Sequence, residues 1–178
     1  ALAEAARDRG ARVLLVSTPT ALPEPPTVEM HHVESVSQMR EAVLHTCEEA
    51  DALIMAAAVS DYRPARAEEQ KIKKQGDQGL KLDLVKNADF FLEIPKGVLR
   101  IGFAAESENL IENAQEKLTS KSMSMIVAND ITAEDSGFNV DTNRVTLLDV
   151  KGNVEELPLL SKYEVGHRIL DRVASLLV

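Results

Sequence analysis

Lys71, Lys73, Lys74 and Lys81 lie in the segment DYRPARAEEQKIKKQGDQGLKL, which runs from Asp61 to Leu82 of an otherwise acidic chain. The formal net charge of the 178 residues is −9. Gly76 and Gly79 interrupt the segment, and no apolar period runs through it. Two readings fit these residues. A lysine cluster is most often a solvated, charged loop. It is also what a flap needs if it closes over phosphates and supplies positive charge where negative charge builds up. Position favours the flap, because the segment follows the end of an apolar run and is long enough, over about residues 62–79, to fold across a ligand.

Other residues have the types and spacing for binding. Met55, Ala56 and Ala57 end the run ALIMAAAV, and small side chains there let a flat ligand approach the backbone. Asp61 follows, where a carboxylate accepts from hydroxyl or amino groups or simply forms a turn. Asn129 and Asp130 close MIVAND and can face a ligand or cap the next element. Lys117 and Lys121 are four residues apart, so one helical face carries both, as a phosphate grip or as a solvent-facing side. Glu106 is open to a ligand role or to a helix N-terminal role. His31 and His32 are adjacent, so on a strand they face opposite sides and cannot chelate together. No His-x-x-x-His or Cys-x-x-Cys spacing favours zinc. Cys47 falls on an apolar helical stripe and reads as packing. Neither a nucleophile-elbow motif nor a P-loop is present, so transfer between bound substrates is the more natural chemistry.

These residues need elements to position them. The chain is 44% hydrophobic, 28% charged and 3% aromatic, which suits one globular domain with an aliphatic core. One cysteine permits no internal disulfide, no apolar run is long enough for a membrane span, and no secretory signal opens the chain. A cytoplasmic protein that binds neither nucleic acid nor membrane is expected. Strands are expected at RVLLVS, VEMHHV, ALIMAAAV, LKLDLV, VLRIGFAA and MIVAND. Helices are expected at ALAEAARDR, at SVSQMREAVLHTCEEA with a capping box from Ser35 to Gln38, and from Leu110 to Lys121. RVTLLDVKGNVEEL reads as a hairpin turning at Gly152, and SKYEVGHRILDRVASLLV as a closing helix. The alternation predicts an α/β fold, a Rossmann-like three-layer sandwich with a mostly parallel sheet, a basic flap, and a C-terminal β-hairpin and helix. Ligands of such sheets sit beyond the carboxyl ends of the strands. A helix feeding a buried strand is the back half of a β-α-β unit. The first strand and its phosphate-holding, glycine-rich turn are therefore expected upstream of Ala1.

AAAVSDYRP, KIKK, VKNADF, IGFAAES, KLTSKSMSMIVAND, GFNVDTNRVTLL and SKYEVGHRILD, in that order, resemble phosphopantothenoylcysteine synthetase (phosphopantothenate–cysteine ligase) over nearly the whole chain. The bacterial, CTP-dependent type forms the C-terminal half of a bifunctional coenzyme A biosynthesis protein. The resemblance implies activation of 4′-phosphopantothenate with CTP and Mg²⁺ to an acyl-cytidylate, releasing pyrophosphate. Cysteine then couples to it, giving 4′-phosphopantothenoylcysteine and CMP. By the same resemblance, Met55, Ala56, Ala57 and Asp61 contact the nucleotide, and Lys71 is the catalytic lid lysine. Ala88, Asp89, Phe90 and Phe91 form a nucleotide-contacting turn, with Phe103 near the base. Lys117 and Lys121 complete the triphosphate site, and Asn129 is a substrate-side candidate. A homodimer is implied, as is fusion to or association with a flavin-dependent decarboxylase domain; metal ligands are not.

Within the chain the smaller departures from that pattern are Ala88 where proline is usual and Ser124 where aspartate is common. The family's strand, glycine-rich turn and Ser-Ser-Gly-Lys-type segment do not precede Ala1. The expectation is therefore a single ligase domain over 1–178, N-terminally incomplete, that binds nucleotide weakly and turns over poorly. Two alternatives are a dinucleotide-binding, oxidoreductase-like Rossmann domain and a non-catalytic nucleotide-binding or dimerisation module. Missing Gly-x-Gly-x-x-Gly weighs against the first.

Overall fold

A computed structural model describes residues 1–68, 70–73, 79–106, 109–130 and 140–178. Lys74 and Gly76 of the basic segment, and Gly137 to Asn139 of GFNVDTN, lie outside the described residues, as do the side chains of Glu106 and Asp130.

The chain opens with α1 (Leu2–Asp8), which stops where Gly10 takes φ +84°, a conformation glycine adopts without a Cβ clash. β1 (Leu14–Ser17) and β2 (Glu29–His32) pair in parallel. α2 (Val36–Thr46) begins in the expected capping box, with Ser35 and Gln38 each satisfying the other's backbone N–H. β3 (Ala52–Met55) follows. The antiparallel ribbon of β4 (Tyr62–Pro64) and β5 (Leu84–Lys86) comes next, then a 3₁₀ turn at Phe90–Glu93. β6 (Leu99–Glu106), α3 (Leu110–Ser120) and β7 (Met125–Asp130) form a β-α-β unit. β8 (Thr142–Asn143) later pairs with β11 (Leu160–Ser161), and β9 (Val145–Asp149) with β10 (Val154–Glu156). α4 (Lys162–Leu177) closes the chain from a second capping box, Ser161 with Glu164.

The main sheet has the order β10-β9-β7-β6-β3, with β3, β6 and β7 parallel and β9 and β10 antiparallel. Alternation along β6 and β7 sends successive residues to opposite faces. Ile101, Met125 and Val127 meet Val165, Ile169 and Val173 of α4, with Leu2 of α1 packed against the same cluster. Ala104, Ile126 and Ala128 face the other way, against Ala114 and Leu118 of α3. α1 and α4 thus cover one face and α3 the other, the expected three layers. α1 seats closely on α4: a Cβ built at Gly166 would lie 3.1 Å from the Ala5 Cβ.

The strand pattern differs from expectation in three places. β3 ends at Met55, so the alanines of ALIMAAAV lie beyond it, mostly exposed at the sheet's carboxyl edge. LKLDLV does not join the sheet. Only Leu84 onward is strand, and it pairs with Tyr62–Pro64. Its period-two pattern reflects a ribbon with no buried face. β1 and β2 form a sheet of their own, while Met39 and Val43 of α2 pack in one cluster with both Val16 of β1 and Leu53 and Met55 of β3.

The hairpin carries one buried carboxylate. Asp149 accepts from the Lys151 N–H (2.9 Å) and from the backbone and side-chain N–H groups of Asn153 (3.1 and 2.9 Å), pinning the turn in which Gly152 takes φ +82°. Arg172 of α4 lies 3.6 Å from Asp149 and 2.8 Å from Glu155. Burial pushes the Asp149 carboxyl up, but the Asn153 and Lys151 hydrogen bonds and the Arg172 charge outweigh it and hold it below the ordinary range.

Candidate active site

The parallel strands bring two sets of candidate residues to one edge. Met55 is in register with Gly102, and Asn129 with Ala105, so the carboxyl ends of β3, β6 and β7 stand side by side. In open α/β sheets this is where ligands bind. Ala56 and Ala57 leave β3 exposed there. Asn129 is the more informative residue. Its Oδ1 is buried and finds no hydrogen-bond donor among the described residues. An acceptor removed from water without a partner costs about 1–3 kcal/mol, and buried orphans in native folds call for a reason such as a ligand contact.

Beside this edge a cleft of about 490 Å³ opens between the start of α3 and the far strands. Leu110, Ala128, Arg144, Thr146, Leu157 and Pro158 line it. Ala128 adjoins Asn129 in β7 and is in register with Thr146 of β9. Glu156 lines it too, so the cleft combines apolar walls with a guanidinium and a carboxylate, and Arg144 was not legible as a lining residue because it falls in a hairpin arm where arginines are ordinarily solvent-facing.

The second set runs from the ribbon's base to α3. Asn87, not singled out by sequence, ties it together. Its Nδ2 donates to the Ser60 carbonyl at 2.8 Å, its backbone N–H donates to the Asp61 carbonyl at 2.8 Å, and its Oδ1 accepts from Arg63 at 3.0 Å. These bonds clamp the chain leaving β3 to the chain leaving β5, so that Asp61 stands close in space to Ala88 and Asp89. Asp89 accepts from the Phe91 N–H at 3.2 Å, capping the 3₁₀ turn. Its other oxygen holds Lys121 Nζ at 3.0 Å, with both side chains nearly half exposed. The structure thus joins Asp61, Ala88, Asp89 and Lys121 in one strip, with Lys117 exposed one turn back on α3.

Phe90 and Phe91 of the same motif face inward. Phe90 packs with Met39 and Val43, and Phe91 with Ala114 and Leu118. Both are buried, so their rings seat the turn against α2 and α3, leaving Ala88 and Asp89 as its exposed part. Arg40 of α2 adds a two-pronged ion pair to Glu93 at the turn's far end. Phe103 is half buried on the α4 face of β6, against the Ile101 cluster. Lys71 is exposed on the connection from β4 to β5, apart from any regular element. The ribbon itself was missed as structure. Its strands are three residues each and lack a core face, so no burial pattern marked them.

Among the described residues no three of His, Cys, Asp and Glu converge as a metal site. Nor is any helix among them long and apolar enough to cross a membrane. The arrangement supplies a cation held in place but accessible, backbone and small side chains at a sheet edge, and an amide oxygen with no donor among the described residues. That combination suits an anionic ligand with a flat portion.

Residues 1–177 match the family "DNA/pantothenate metabolism flavoprotein C-terminal domain". The coenzyme A biosynthesis bifunctional protein CoaBC of Bacillus subtilis (strain 168) is 42% identical over 180 residues, covering 99% of this chain and 44% of that protein. The CoaBC of Vibrio vulnificus (strain YJ016) is 38% identical over 182 residues, covering 99% and 45%. This chain therefore spans less than half the length of these curated relatives. The crystal structure of the C-terminal domain of CoaBC superposes with a TM-score of 0.82 at 38% identity, covering 99% of this chain and 80% of that one. The chain belongs to the DNA/pantothenate metabolism flavoprotein C-terminal domain family.

Proposed function

We propose that this domain is the phosphopantothenate–cysteine ligase of coenzyme A biosynthesis, and that it uses CTP. The observation that carries the reading is the Asp89–Lys121 pair, a half-exposed ammonium fixed at 3.0 Å beside the turn that leads from the ribbon. An ammonium so placed neutralises a polyphosphate with little loss of side-chain freedom on binding. Relatives bearing the name of a coenzyme A biosynthesis protein supply the substrate class.

In this reading a carboxylate oxygen of 4′-phosphopantothenate attacks the α-phosphorus of CTP, and the bond to pyrophosphate breaks. The amine of cysteine then attacks the acyl carbon, expels CMP and loses a proton. The chain's residues bind and orient. Met55, Ala56, Ala57 and Asp61 line the nucleotide's approach at the β3 edge, with Ala88 and Asp89 facing it from the 3₁₀ turn, Phe90 and Phe91 seating that turn from behind, and Phe103 standing apart on the α4 face of β6. Lys117 and Lys121 hold the triphosphate. Lys71 arrives with the flap and offsets the charge that develops on the α-phosphate and the departing pyrophosphate. Asn129 Oδ1 accepts from a donor on the pantothenate or on the attacking amine. Mg²⁺, carried on the triphosphate, would supply further positive charge beside Lys117 and Lys121. A flavin-dependent decarboxylase, fused or associated, consumes the product in the cytoplasm.

The test is product identification. The protein, both as these 178 residues and in its full-length form, is incubated with 4′-phosphopantothenate, cysteine, Mg²⁺ and CTP. Mass spectrometry should find 4′-phosphopantothenoylcysteine and CMP in equal amounts. Nucleotide binding with no product from either form would leave a binding module in place of an enzyme.

A further inference from the structure

Packing against α2 fixes the end of β3 and the Phe90–Glu93 turn, yet it does not fix the backbone that joins them. Ser60, Asp61, Ala88 and Asp89 are exposed, and so is every residue of the β4–β5 ribbon. A two-stranded ribbon without a packed face is marginal alone in water. The nucleotide reading nevertheless needs the two ends of this excursion at a set spacing. Asp61 lies on one end, and Asp89, which holds Lys121 at 3.0 Å, lies on the other. Something other than a core must set that spacing.

Asn87 has the bonds to do so. It is half-buried among exposed neighbours. Its backbone N–H adds a rung to the ladder beyond the Tyr62–Lys86 pair, donating to the Asp61 carbonyl at 2.8 Å. Its side chain spans the same gap in both senses. Nδ2 donates to the Ser60 carbonyl, 27 positions away, at 2.8 Å, and Oδ1 accepts from Arg63 Nη1 at 3.0 Å. Arg63 also reaches the Lys86 carbonyl at 3.4 Å, and Ser60 Oγ donates to the Tyr62 carbonyl at 2.8 Å. Turned over, the amide would set its oxygen against a carbonyl and its NH₂ against a guanidinium, so these partners hold it in one orientation. Only a short side chain with both a donor and an acceptor closes this ring. Aspartate, of the same shape, keeps the acceptor and loses the donor.

We propose that Asn87 is a positioning residue of the nucleotide site. It touches no substrate. It acts through Asp61 on one side and through Asp89 and Lys121 on the other, setting the distance from the β3 edge to the ammonium that meets the triphosphate. Arg63 acts one step further back, by holding the Asn87 amide. This role rests on the ligase reading and deepens it, by naming what keeps the CTP-binding groups in register. A ligand that must touch both ends at once loses affinity when their spacing drifts. The fold is far less sensitive. Hydrogen bonds between exposed segments contribute little to global stability, so the clamp can be removed without unfolding the domain.

The test is steady-state kinetics on the full-length protein, with CTP and cysteine varied separately, beside thermal melts of the same samples. Asn87→Ala should raise KM for CTP about tenfold or more, leave KM for cysteine within about twofold, and keep the melting temperature within about 2 °C. Asn87→Asp should raise KM for CTP as well, since it has lost the bond to the Ser60 carbonyl. Arg63→Met should raise it about threefold alone and add nothing in an Asn87→Ala background, because its partner is then gone. A merely structural side chain would behave otherwise, lowering the melting temperature and kcat through a smaller folded fraction with both KM values unchanged. That pattern, or additive effects of the Asn87 and Arg63 substitutions on KM for CTP, would overturn the proposal. A wild-type protein that makes no product overturns the ligase reading, and this role with it. An active wild type whose Asn87→Ala variant keeps its KM for CTP overturns this role alone.

Discussion

Asn129→Leu is predicted to make the protein more stable and less active at once. The perturbation replaces an amide with an aliphatic side chain of similar volume at the end of a central strand whose neighbours Val127 and Ala128 are fully buried. In the free protein the Asn129 Oδ1 is buried, and no donor among the described residues offsets its desolvation. Removing an orphan acceptor of this kind recovers about 1–2 kcal/mol. For a domain of this size that is a rise of roughly 3–6 °C in melting temperature. Catalysis should move the other way. If the oxygen accepts from bound substrate, loss of that bond should lower kcat/KM by about tenfold or more. Differential scanning calorimetry without ligand, paired with steady-state kinetics on the full-length protein, reads both. An Asn129→Leu protein that melts lower and turns over normally would refute the reasoning, since the amide would then be serving the fold.

Other substitutions test other parts of the account. Lys71→Ala should cut turnover while leaving the melting temperature within about 1 °C, because an exposed lysine outside any regular element contributes little to stability. A large thermal loss would make the segment structural. Gly166→Val should destabilise by about 1–3 kcal/mol in chemical denaturation, since even a Cβ there meets Ala5 at 3.1 Å and wedges α1 from α4. Asp149→Ala should cost about 2 kcal/mol by leaving two backbone N–H donors unanswered and Arg172 with Glu155 as its remaining carboxylate, and a loss below about 1 kcal/mol would show that the turn re-forms without it. Acid should unfold the protein through this and similar groups. Asp149 is held low against its own burial, Asp8 by Tyr163 and Arg7, Glu93 by Arg40 and Glu164 by Ser161. Carboxyls depressed in the fold contribute stability above their unfolded values near pH 4, and that contribution disappears as pH falls through the folded values. Thermal melts from pH 7 to 3 should therefore be nearly flat to about pH 5 and drop below it.

The order of elements was readable because their signals are local. Ser35–Gln38 announced α2, Gly10 ended α1, Gly152 turned the hairpin, and the apolar runs at Leu14, Ala52, Leu99 and Met125 became strands. What escaped the sequence is made by pairing at a distance. The β4–β5 ribbon pairs residues 20 to 24 positions apart with no buried face, so period-two alternation at LKLDLV suggested a main-sheet strand that the structure does not contain. The separate β1–β2 pair was equally invisible, because a strand's residues do not announce which strand lies beside them. At the site, the strand-end residues Met55 and Asn129 were legible from position. Lys117 and Lys121 shared one face by spacing, but only the fold supplied Asp89 as the partner of Lys121. Asn87 was hidden because its role lies in bonds to Ser60, Asp61 and Arg63 across the ribbon's base. Phe90 and Phe91 show the converse, since a motif quoted for its ligand contacts places both rings in the core.

The most direct measurement is pyrophosphate release by the full-length protein with 4′-phosphopantothenate and Mg²⁺ in the absence of cysteine, comparing CTP with ATP. The account predicts release with CTP, stoichiometric with enzyme until cysteine is added and catalytic afterwards, and strongly reduced in Lys121→Ala. No release with either nucleotide, or release that does not require 4′-phosphopantothenate, would contradict it.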